Sequence, residues 1–310
     1  MRPTWADIDL GAAARNVAAL AAHVAPAEMC VVVKADGYGH GAVPIARAAI
    51  EAGASWLGVA LVEEGRVLRE AGIRAPILVL SEPRPLEMVE VVAYGLTPTV
   101  YSGEGMAAAA AAATQGGVEL GVHMKIDTGM GRVGARPEDA VSMAGAIADK
   151  ESLRLDGVWT HCAIADDPSD PYTDKQLDAY DQVLVDLEAH GHRLRWRHAA
   201  NSAVALAHPR GRYDLVRCGI AVYGIAPSPQ LDGIVSLEPV LRLRSQVSLA
   251  KRVRAGDRIS YGLTWEAPRD TTIATVPIGY ADGVRRRSSA VGGQVLIGGK
   301  RYPMVGTVTM

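Results

Sequence analysis

The sequence predicts a (β/α)8 barrel followed by a mainly antiparallel β domain. Eight short apolar runs lie between residues 29 and 223, and segments with helical spacing separate them. Beyond residue 230 the pattern changes to an alternation of apolar and polar residues, which is typical of half-exposed strands. A doubly wound parallel sheet is the structural alternative for the first part.

Composition and charge exclude several classes of protein. The 310 residues carry a net charge of -2, with 49% hydrophobic and 21% charged residues, as in ordinary globular proteins. Neither a nucleic-acid partner nor a membrane surface is indicated. The three cysteines lack metal or redox spacing, and the acidic N-terminus does not resemble a signal peptide. We therefore expect buried thiols and a cytoplasmic protein.

The eight candidate strands are nearly continuous in apolar character, as is typical of buried parallel strands. They cover residues 29–34, 55–61, 76–81, 97–102, 121–127, 155–162, 196–201 and 215–223.

The candidate helices lie between these strands and end at Gly or Pro signals. They cover residues 43–52, 63–71, 86–94, 103–114, 137–149 and 174–190. The interval 202–214 leaves room for only a short helix.

A Pro/Ser stretch at residues 226–229 predicts a linker, and hence a domain boundary near residue 230. We expect residues 1–10 to form a strand that pairs with the β domain, 11–230 to form the barrel and 231–310 to form the β domain. The last residues read as an uncompleted strand, so we expect the natural product to be longer.

In barrels the active site lies at the carboxyl ends of the strands, and here those ends are polar. Lys34 emerges directly from the first apolar run. It is either a solvated strand end or, if buried, a nucleophilic amine able to form a Schiff base. The glycines at 37, 39 and 41 lack the spacing of a dinucleotide loop.

Other strand ends carry further candidates, each with a structural alternative. Ser202 suits phosphate binding or a helix cap. His161 is either a site residue or a hydrogen-bonded core histidine, and Lys125 can form an ion pair with Asp127. Arg217 lies in a buried strand, where a guanidinium requires an acceptor.

Taken together, the chain resembles the alanine racemase family. The resemblance runs from residue 7 to residue 310 and is carried by the motifs VVVKADGYGHGA, KIDTGMGRVG, THCAIAD, NSA, LVRCGIAVYG, ISYGLTW, IGYADG and VGTVTM. It implies a barrel with an added β domain, the cofactor pyridoxal phosphate (PLP), no metal, and interconversion of L-alanine and D-alanine that supplies D-alanine for peptidoglycan.

The resemblance also implies roles for individual residues. Lys34 would carry PLP, Arg217 would face its pyridine nitrogen, and the phosphate would be held by Tyr38, Ser202, Gly219 and Ile220. Arg132 and the Met310 backbone would bind the substrate carboxylate, and a carbamylated Lys125 would orient Arg132. Tyr261 would reach the active site of the other subunit in a homodimer.

The chemistry accounts for these residue types. Racemisation removes a proton from one face of Cα and returns one to the other, which requires two bases. Lys34 and Tyr261 fit these roles, and a group such as His161 would stabilise the phenolate. An arginine against the pyridine nitrogen, in place of a carboxylate, weakens the electron sink and restrains transamination.

The sequence departs from the family at Thr307, where an arginine is usual, and it stops before a family Asp and a later Tyr. A racemase of another small amino acid such as serine stays open as an alternative. A non-catalytic PLP-binding barrel is disfavoured by the β domain and by Tyr261 in its ISYGLTW motif. A related decarboxylase would need a glycine-rich phosphate loop and a substrate-directed cysteine or acid in the second domain, and the sequence shows neither. A single methylene or hydroxyl group changes selectivity too little to be read from sequence.

Overall fold

The computed structural model describes residues 2–310. Its strands, in chain order, are β1 (Thr4–Ile8), β2 (Glu28–Val32), β3 (Trp56–Val59), β4 (Ile77–Val79), β5 (Thr97–Val100), β6 (Leu120–Lys125), β7 (Leu153–Trp159), β8 (Trp196–His198), β9 (Leu215–Cys218), β10 (Leu241–Ser245), β11 (Leu249–Val253), β12 (Arg258–Ile259), β13 (Trp265–Glu266), β14 (Thr271–Thr275), β15 (Gln294–Ile297) and β16 (Lys300–Pro303).

The right-handed α-helices, again in chain order, are α1 (Leu10–Val24), α2 (Ala42–Glu51), α3 (Val62–Glu70), α4 (Met88–Ala93), α5 (Gly103–Gly116), α6 (Ala140–Ala148), α7 (Tyr172–Ala189) and α8 (Ser202–Ala207). Short 3-10 turns precede α4 and α6 and follow α8.

Strands β2 to β9 form the predicted barrel. The sheet order is β8-β7-β6-β5-β4-β3-β2-β9, and every neighbouring pair is parallel. Backbone bonds from Asp214 N to Arg197 O (3.0 Å) and from Arg217 N to Ala200 O (2.9 Å) join the two end strands and nearly close it. All eight predicted strands are confirmed.

The predicted strands mostly extend too far at their carboxyl ends. The eighth, for example, ends at Cys218 rather than at residue 223. The apolar pattern continues into residues 220–223, which form a 3-10 turn after Gly219. Most predicted strands therefore include residues that, in the structure, belong to the loops after the carboxyl ends of the barrel strands.

The six predicted helices are present, but helix α1 was not predicted. Asp9 accepts a hydrogen bond from Ala12 N (2.8 Å) and caps its first turn. Val17, Leu20 and Val24 recur on one face at helical spacing and are buried. The cap and this period were signals available in the sequence.

Residues Lys34–Gly39 form one left-handed helical turn directly after β2. Ala35, Asp36, Gly37 and Tyr38 have φ angles between 51° and 61°. Each non-glycine residue in this conformation costs about 1 kcal/mol. The turn is stabilised because Ala35 N donates to Glu64 Oε1 (2.6 Å) and Ala42 N donates to Asp36 Oδ1 (2.8 Å).

The chain divides into two units, residues 8–240 and residues 241–310 with the N-terminal residues up to Asp7. This boundary lies ten residues beyond the predicted boundary at residue 230. The reason is that Leu231 and Val240 are buried in the core of the barrel unit.

The second unit contains small two-stranded sheets. The pairs β11–β14, β12–β13 and β15–β16 are antiparallel, and β1 pairs with β10. This confirms the mainly antiparallel character predicted after the barrel.

The three cysteines are free and buried, as predicted. Within residues 2–310, no helix has the length and apolar character needed to span a membrane.

Candidate active site

A cavity of about 510 Å³ lies at the carboxyl ends of the barrel strands. Nine residues predicted from the sequence line it: Lys34, Tyr38, Lys125, Arg132, His161, Ser202, Arg217, Gly219 and Ile220. They come from distant parts of the chain and meet because parallel strands all end on the same side of a barrel.

The lining of the cavity is strongly cationic. The lining contains four basic residues and one carboxylate, that of Asp166. The basic residues are Lys34, Lys125, Arg132 and Arg217. Burial, followed by the charge of Arg132, lowers the pKa of the Lys34 amine, and Glu64 partly opposes this shift. The cavity therefore favours anionic ligands and a nucleophilic lysine.

Lys125 has an even more altered environment. Burial, then the charges of Arg217 and Arg132, lower the pKa of its amine to about 8. Its Nζ lies 4.4 Å from the centre of the Trp159 ring. The alternative of a Lys125–Asp127 ion pair is not supported, because the described residues show no salt bridge between them and Asp127 instead accepts backbone amides.

Arg217 is fully buried and finds neutral acceptors. Its Nη1 lies 2.8 Å from His198 Nδ1, and its Nη2 donates to Thr160 O (2.8 Å) and Ala199 O (3.1 Å). The guanidinium also lies 4.5 Å from the centre of the Trp159 ring. Burial lowers the pKa of Arg217 to about 10, which still leaves it charged at neutral pH.

A second histidine extends this arrangement into the barrel. His198 Nε2 lies 2.9 Å from His123 Nδ1. Because the guanidinium can only donate, His198 Nδ1 accepts, and its Nε2–H donates to His123. The arginine thereby fixes the tautomer of both rings, and His123 Nε2 is left buried without a partner in the structure.

His161 is neutral in this environment. Burial, then the charge of Arg217, lower its pKa to about 3. Its Nδ1 lies 3.4 Å from Arg217 Nη2. Any contribution of His161 to a neighbouring phenolate would therefore be a hydrogen bond and not a positive charge.

Two hydroxyl-bearing residues, Tyr38 and Ser202, line the cavity beside Gly219. Gly219 N donates to Ser202 Oγ (3.0 Å), which places this hydroxyl on the cavity wall. A side chain at Gly219 would come within 2.4 Å of the Tyr38 hydroxyl. The absence of a side chain at Gly219 therefore leaves room for the Tyr38 hydroxyl, and the Tyr38 ring packs against the Tyr223 ring with centres 4.7 Å apart and planes tilted by 31°.

Tyr261 and Met310 belong to the second unit and are exposed. Tyr261 lies in a tight turn, flanked by Ser260 with φ 66° and Gly262 with φ 74°. The Thr307 hydroxyl donates to Tyr261 O (2.9 Å). The short side chain therefore has a structural role in holding this turn.

Sequence reasoning missed several contributors to the site, namely Trp159, His198, His123 and Glu64. Three of them lie within barrel strands, and Glu64 lies in the first turn of α3. A polar or aromatic residue inside an apolar strand was the available signal, but it does not reveal which residue it contacts.

A barrel with a cationic cavity centred on a lysine, and with hydroxyl groups suited to a phosphate, defines the class of barrel proteins that carry PLP on a lysine. The comparisons with known proteins give the particular family. The sequence models described as "Alanine racemase, N-terminal domain" and "Alanine racemase, C-terminal domain" match residues 8–227 and 240–310.

Curated relatives and solved structures agree. The alanine racemase of Symbiobacterium thermophilum is 48% identical and aligns with 100% of this chain and 82% of its own length. The alanine racemase structure from a D-cycloserine-producing Streptomyces lavendulae superposes with a TM-score of 0.94 at 39% identity, covering 100% of this chain and 82% of that one. The Bacillus anthracis structure with bound L-Ala-P superposes with a TM-score of 0.90 at 39% identity, covering 100% and 81%. The chain belongs to the alanine racemase family, whose members depend on PLP.

Proposed function

We propose that this protein interconverts L-alanine and D-alanine with PLP. The observation that carries the proposal is the convergence of Lys34, Tyr38, Ser202 and Arg217 on one cavity. When bound, PLP draws electrons from the substrate and makes its Cα proton acidic. The protein has to hold the cofactor, orient the substrate and move the proton.

Lys34 would hold the cofactor and act as the base on one face of Cα. Its lowered pKa increases the fraction of neutral amine, which is the form that bonds to an aldehyde and accepts a proton. The Tyr38 and Ser202 hydroxyls, with the backbone at Gly219 and Ile220, would hold the phosphate. Each contact is consistent with the lining of the cavity.

Arg217 would donate a hydrogen bond to the pyridine nitrogen. With a pKa near 10, it stays protonated at neutral pH and does not readily pass a proton to that nitrogen. The electron sink is therefore moderated, and return of the proton to Cα is favoured over transamination.

Tyr261 would be the base on the opposite face, supplied by one subunit of a homodimer to the site of the other. Its side chain is 69% exposed, which suits a residue that serves a neighbouring molecule. His161, being neutral, would stabilise the phenolate by a hydrogen bond.

Arg132 and the Met310 backbone would bind the substrate carboxylate. Lys125 would be carbamylated and would orient Arg132. The pKa of about 8 for Lys125 supports this role, since a neutral amine is the form that reacts with carbon dioxide.

The product would serve peptidoglycan synthesis in the cytoplasm. A racemase acting on another amino acid is the second candidate. The histidine racemase of Leuconostoc mesenteroides superposes with a TM-score of 0.85 at 29% identity, so this fold also accommodates a larger substrate. Serine differs from alanine by one hydroxyl group and belongs in the same comparison.

The test is to load the purified protein with PLP and follow the formation of D-amino acids from L-alanine, L-serine and L-histidine by chiral chromatography. We expect kcat/KM to be at least tenfold higher for alanine. Tyr261→Phe should still bind PLP but lose most of the proton removal from L-alanine. A higher kcat/KM for serine or histidine would contradict the assignment, and no racemisation of any of them would favour a non-catalytic PLP-binding protein.

A further inference from the structure

The carboxylate of Asp127 accepts hydrogen bonds from four consecutive backbone amides. Oδ1 accepts from Gly129 N (3.0 Å), Met130 N (2.8 Å) and Gly131 N (3.1 Å). Oδ2 accepts from Arg132 N (3.1 Å). Burial acts to raise the pKa of Asp127, but the four amides together lower it below its ordinary value, so the carboxylate is ionised at neutral pH.

The loop that Asp127 organises is also closed at its base. Asp127 N donates to Ala135 O (2.8 Å), and Ala135 N donates to Lys125 O (2.9 Å). A side chain at Gly134 would come within 2.7 Å of Asp127 N, so the two strands of the loop approach closely.

Two neighbouring elements hold the outer part of the loop. The Thr128 hydroxyl lies 2.8 Å from the Thr160 hydroxyl at the end of β7. The Tyr172 hydroxyl, at the start of α7, donates to Gly129 O (3.0 Å). The backbone from 127 to 132 is therefore fixed, although it is a surface loop.

Arg132 needs this support because its own side chain has little. The residue is exposed and lines the cavity, where the charge of its guanidinium helps to lower the pKa of Lys34 and of Lys125. Among residues 2–310, no hydrogen bond or salt bridge to a protein side chain holds that guanidinium. The hydrogen bond from the Arg132 backbone amide to Asp127 Oδ2 therefore fixes the position of the Arg132 backbone, and with it the direction in which the side chain leaves Cα.

We propose that Asp127 is a positioning residue for recognition of the substrate carboxylate. By binding the Arg132 amide, it fixes the point from which the guanidinium reaches into the cavity. This inference rests on the proposed function, in which Arg132 binds that carboxylate. It concerns substrate affinity and not proton transfer, because Asp127 does not line the cavity.

Because Oδ1 accepts from residues 129–131 and Oδ2 accepts only from Arg132, Asp127→Asn allows a selective test. The amide oxygen can replace Oδ1 and keep the bonds to residues 129–131. The amide nitrogen then replaces Oδ2 and presents a donor to the Arg132 N–H, which is also a donor. The substitution therefore releases Arg132 while leaving the rest of the loop anchored.

The first readout is hydrogen exchange of the PLP-loaded protein at single-amide resolution. We expect the Arg132 amide to exchange at least tenfold faster in Asp127→Asn, and the amides of residues 129–131 to change less than threefold. Unchanged exchange at Arg132 would overturn the proposal. The matched control is Asp9→Asn, at the cap of α1, which should leave all four amides unchanged.

The second readout is kinetic. We expect Asp127→Asn to raise KM for alanine about tenfold with kcat within threefold of wild type. It should produce no further increase in KM when combined with Arg132→Ala, because it acts through that residue. A fall in kcat with unchanged KM, or an additive effect in the double variant, would contradict the positioning role.

A third readout separates this inference from the proposed function. Binding of acetate, followed by saturation-transfer NMR, reports carboxylate recognition without turnover. We expect about tenfold weaker binding to Asp127→Asn. If the wild-type protein racemises no alanine but binds acetate about tenfold more tightly than Asp127→Asn does, the proposed function fails and the positioning role stands. If acetate binding is equal in the two proteins, the positioning role fails.

Discussion

At the scale of single residues, the site depends on which of its buried groups carry a charge and which are neutral. Arg217 is buried and stays cationic, while His198 and His161 beside it are neutral. A buried guanidinium without a carboxylate partner is expensive, and its cost is reduced here by three carbonyl or imidazole acceptors and by the Trp159 ring. This arrangement leaves Arg217 charged toward the cavity.

Because the pKa values of two buried histidines are lowered, we expect the free energy of unfolding to fall in acid. Burial, followed by Arg217, lowers the pKa of His198 well below its ordinary value. Burial lowers that of His123 to about 4, with Arg217 adding to this shift and Asp156 opposing it. Since the folded pKa values lie below the unfolded value, these groups contribute full stability above about pH 6.5 and lose it as pH falls toward 4.

The free energy of unfolding should therefore fall between pH 6.5 and 4 by about 1.4 kcal/mol per pH unit for each such histidine. Urea unfolding of wild type and His123→Leu at several pH values measures this slope. We expect a shallower slope in His123→Leu and an unchanged one in His190→Leu, which alters an exposed residue. Equal slopes in wild type and His123→Leu would contradict the account.

The site residues that the sequence predicted are those with a recognisable local motif. Lys34 and Arg217 lie next to a strand end or within a strand, where a charge stands out, and Arg132 belongs to the KIDTGMGRVG motif that begins at the end of β6. Trp159 and His123 lie within strands and look like ordinary core residues. Their role follows only from which strands are neighbours in the barrel, and a single sequence does not show this.

At the scale of elements, the strands were predictable because each is a continuous apolar run. Helix α1 was missed although Asp9 and the spacing of Val17, Leu20 and Val24 indicate it. The left-handed turn after Lys34, in contrast, could not be predicted from the sequence. Its glycines suggest an unusual backbone, but the residue types at Ala35 and Asp36 do not indicate a positive φ.

In the left-handed turn, we expect replacement of an alanine by glycine not to lower the free energy of unfolding. Ala35 has a φ of 52°, so Ala35→Gly relieves backbone strain and should leave the free energy of unfolding unchanged or raise it by up to about 1 kcal/mol. Ala48 lies in the ordinary helix α2, where the same change should lower it by about 1 kcal/mol. Urea unfolding of both variants measures the two effects.

The comparison between the two alanines is the control. If Ala35→Gly destabilised the protein as much as Ala48→Gly, the left-handed turn would not be a strained element. Ala35→Val should be the most destabilising of the three, because a β-branched side chain is least compatible with a positive φ.

At the scale of the whole molecule, the order of barrel and β unit was predictable from the change in periodicity. The exact boundary was not, because residues 232–240 lack regular structure and yet Leu231 and Val240 are buried in the barrel unit. The barrel gathers nine distant residues around one cavity, and the second unit displays Tyr261 on its surface.

We propose that this cavity holds PLP on Lys34. Lys125 is the competing attachment point, since it also lines the cavity and has a pKa lowered to about 8. The direct measurement is to load the protein with PLP, reduce it with borohydride, and locate the labelled lysine by peptide mass spectrometry. We expect one label, on Lys34, and none in Lys34→Ala; a label on Lys125, or no label in the wild type, would contradict PLP attachment at Lys34.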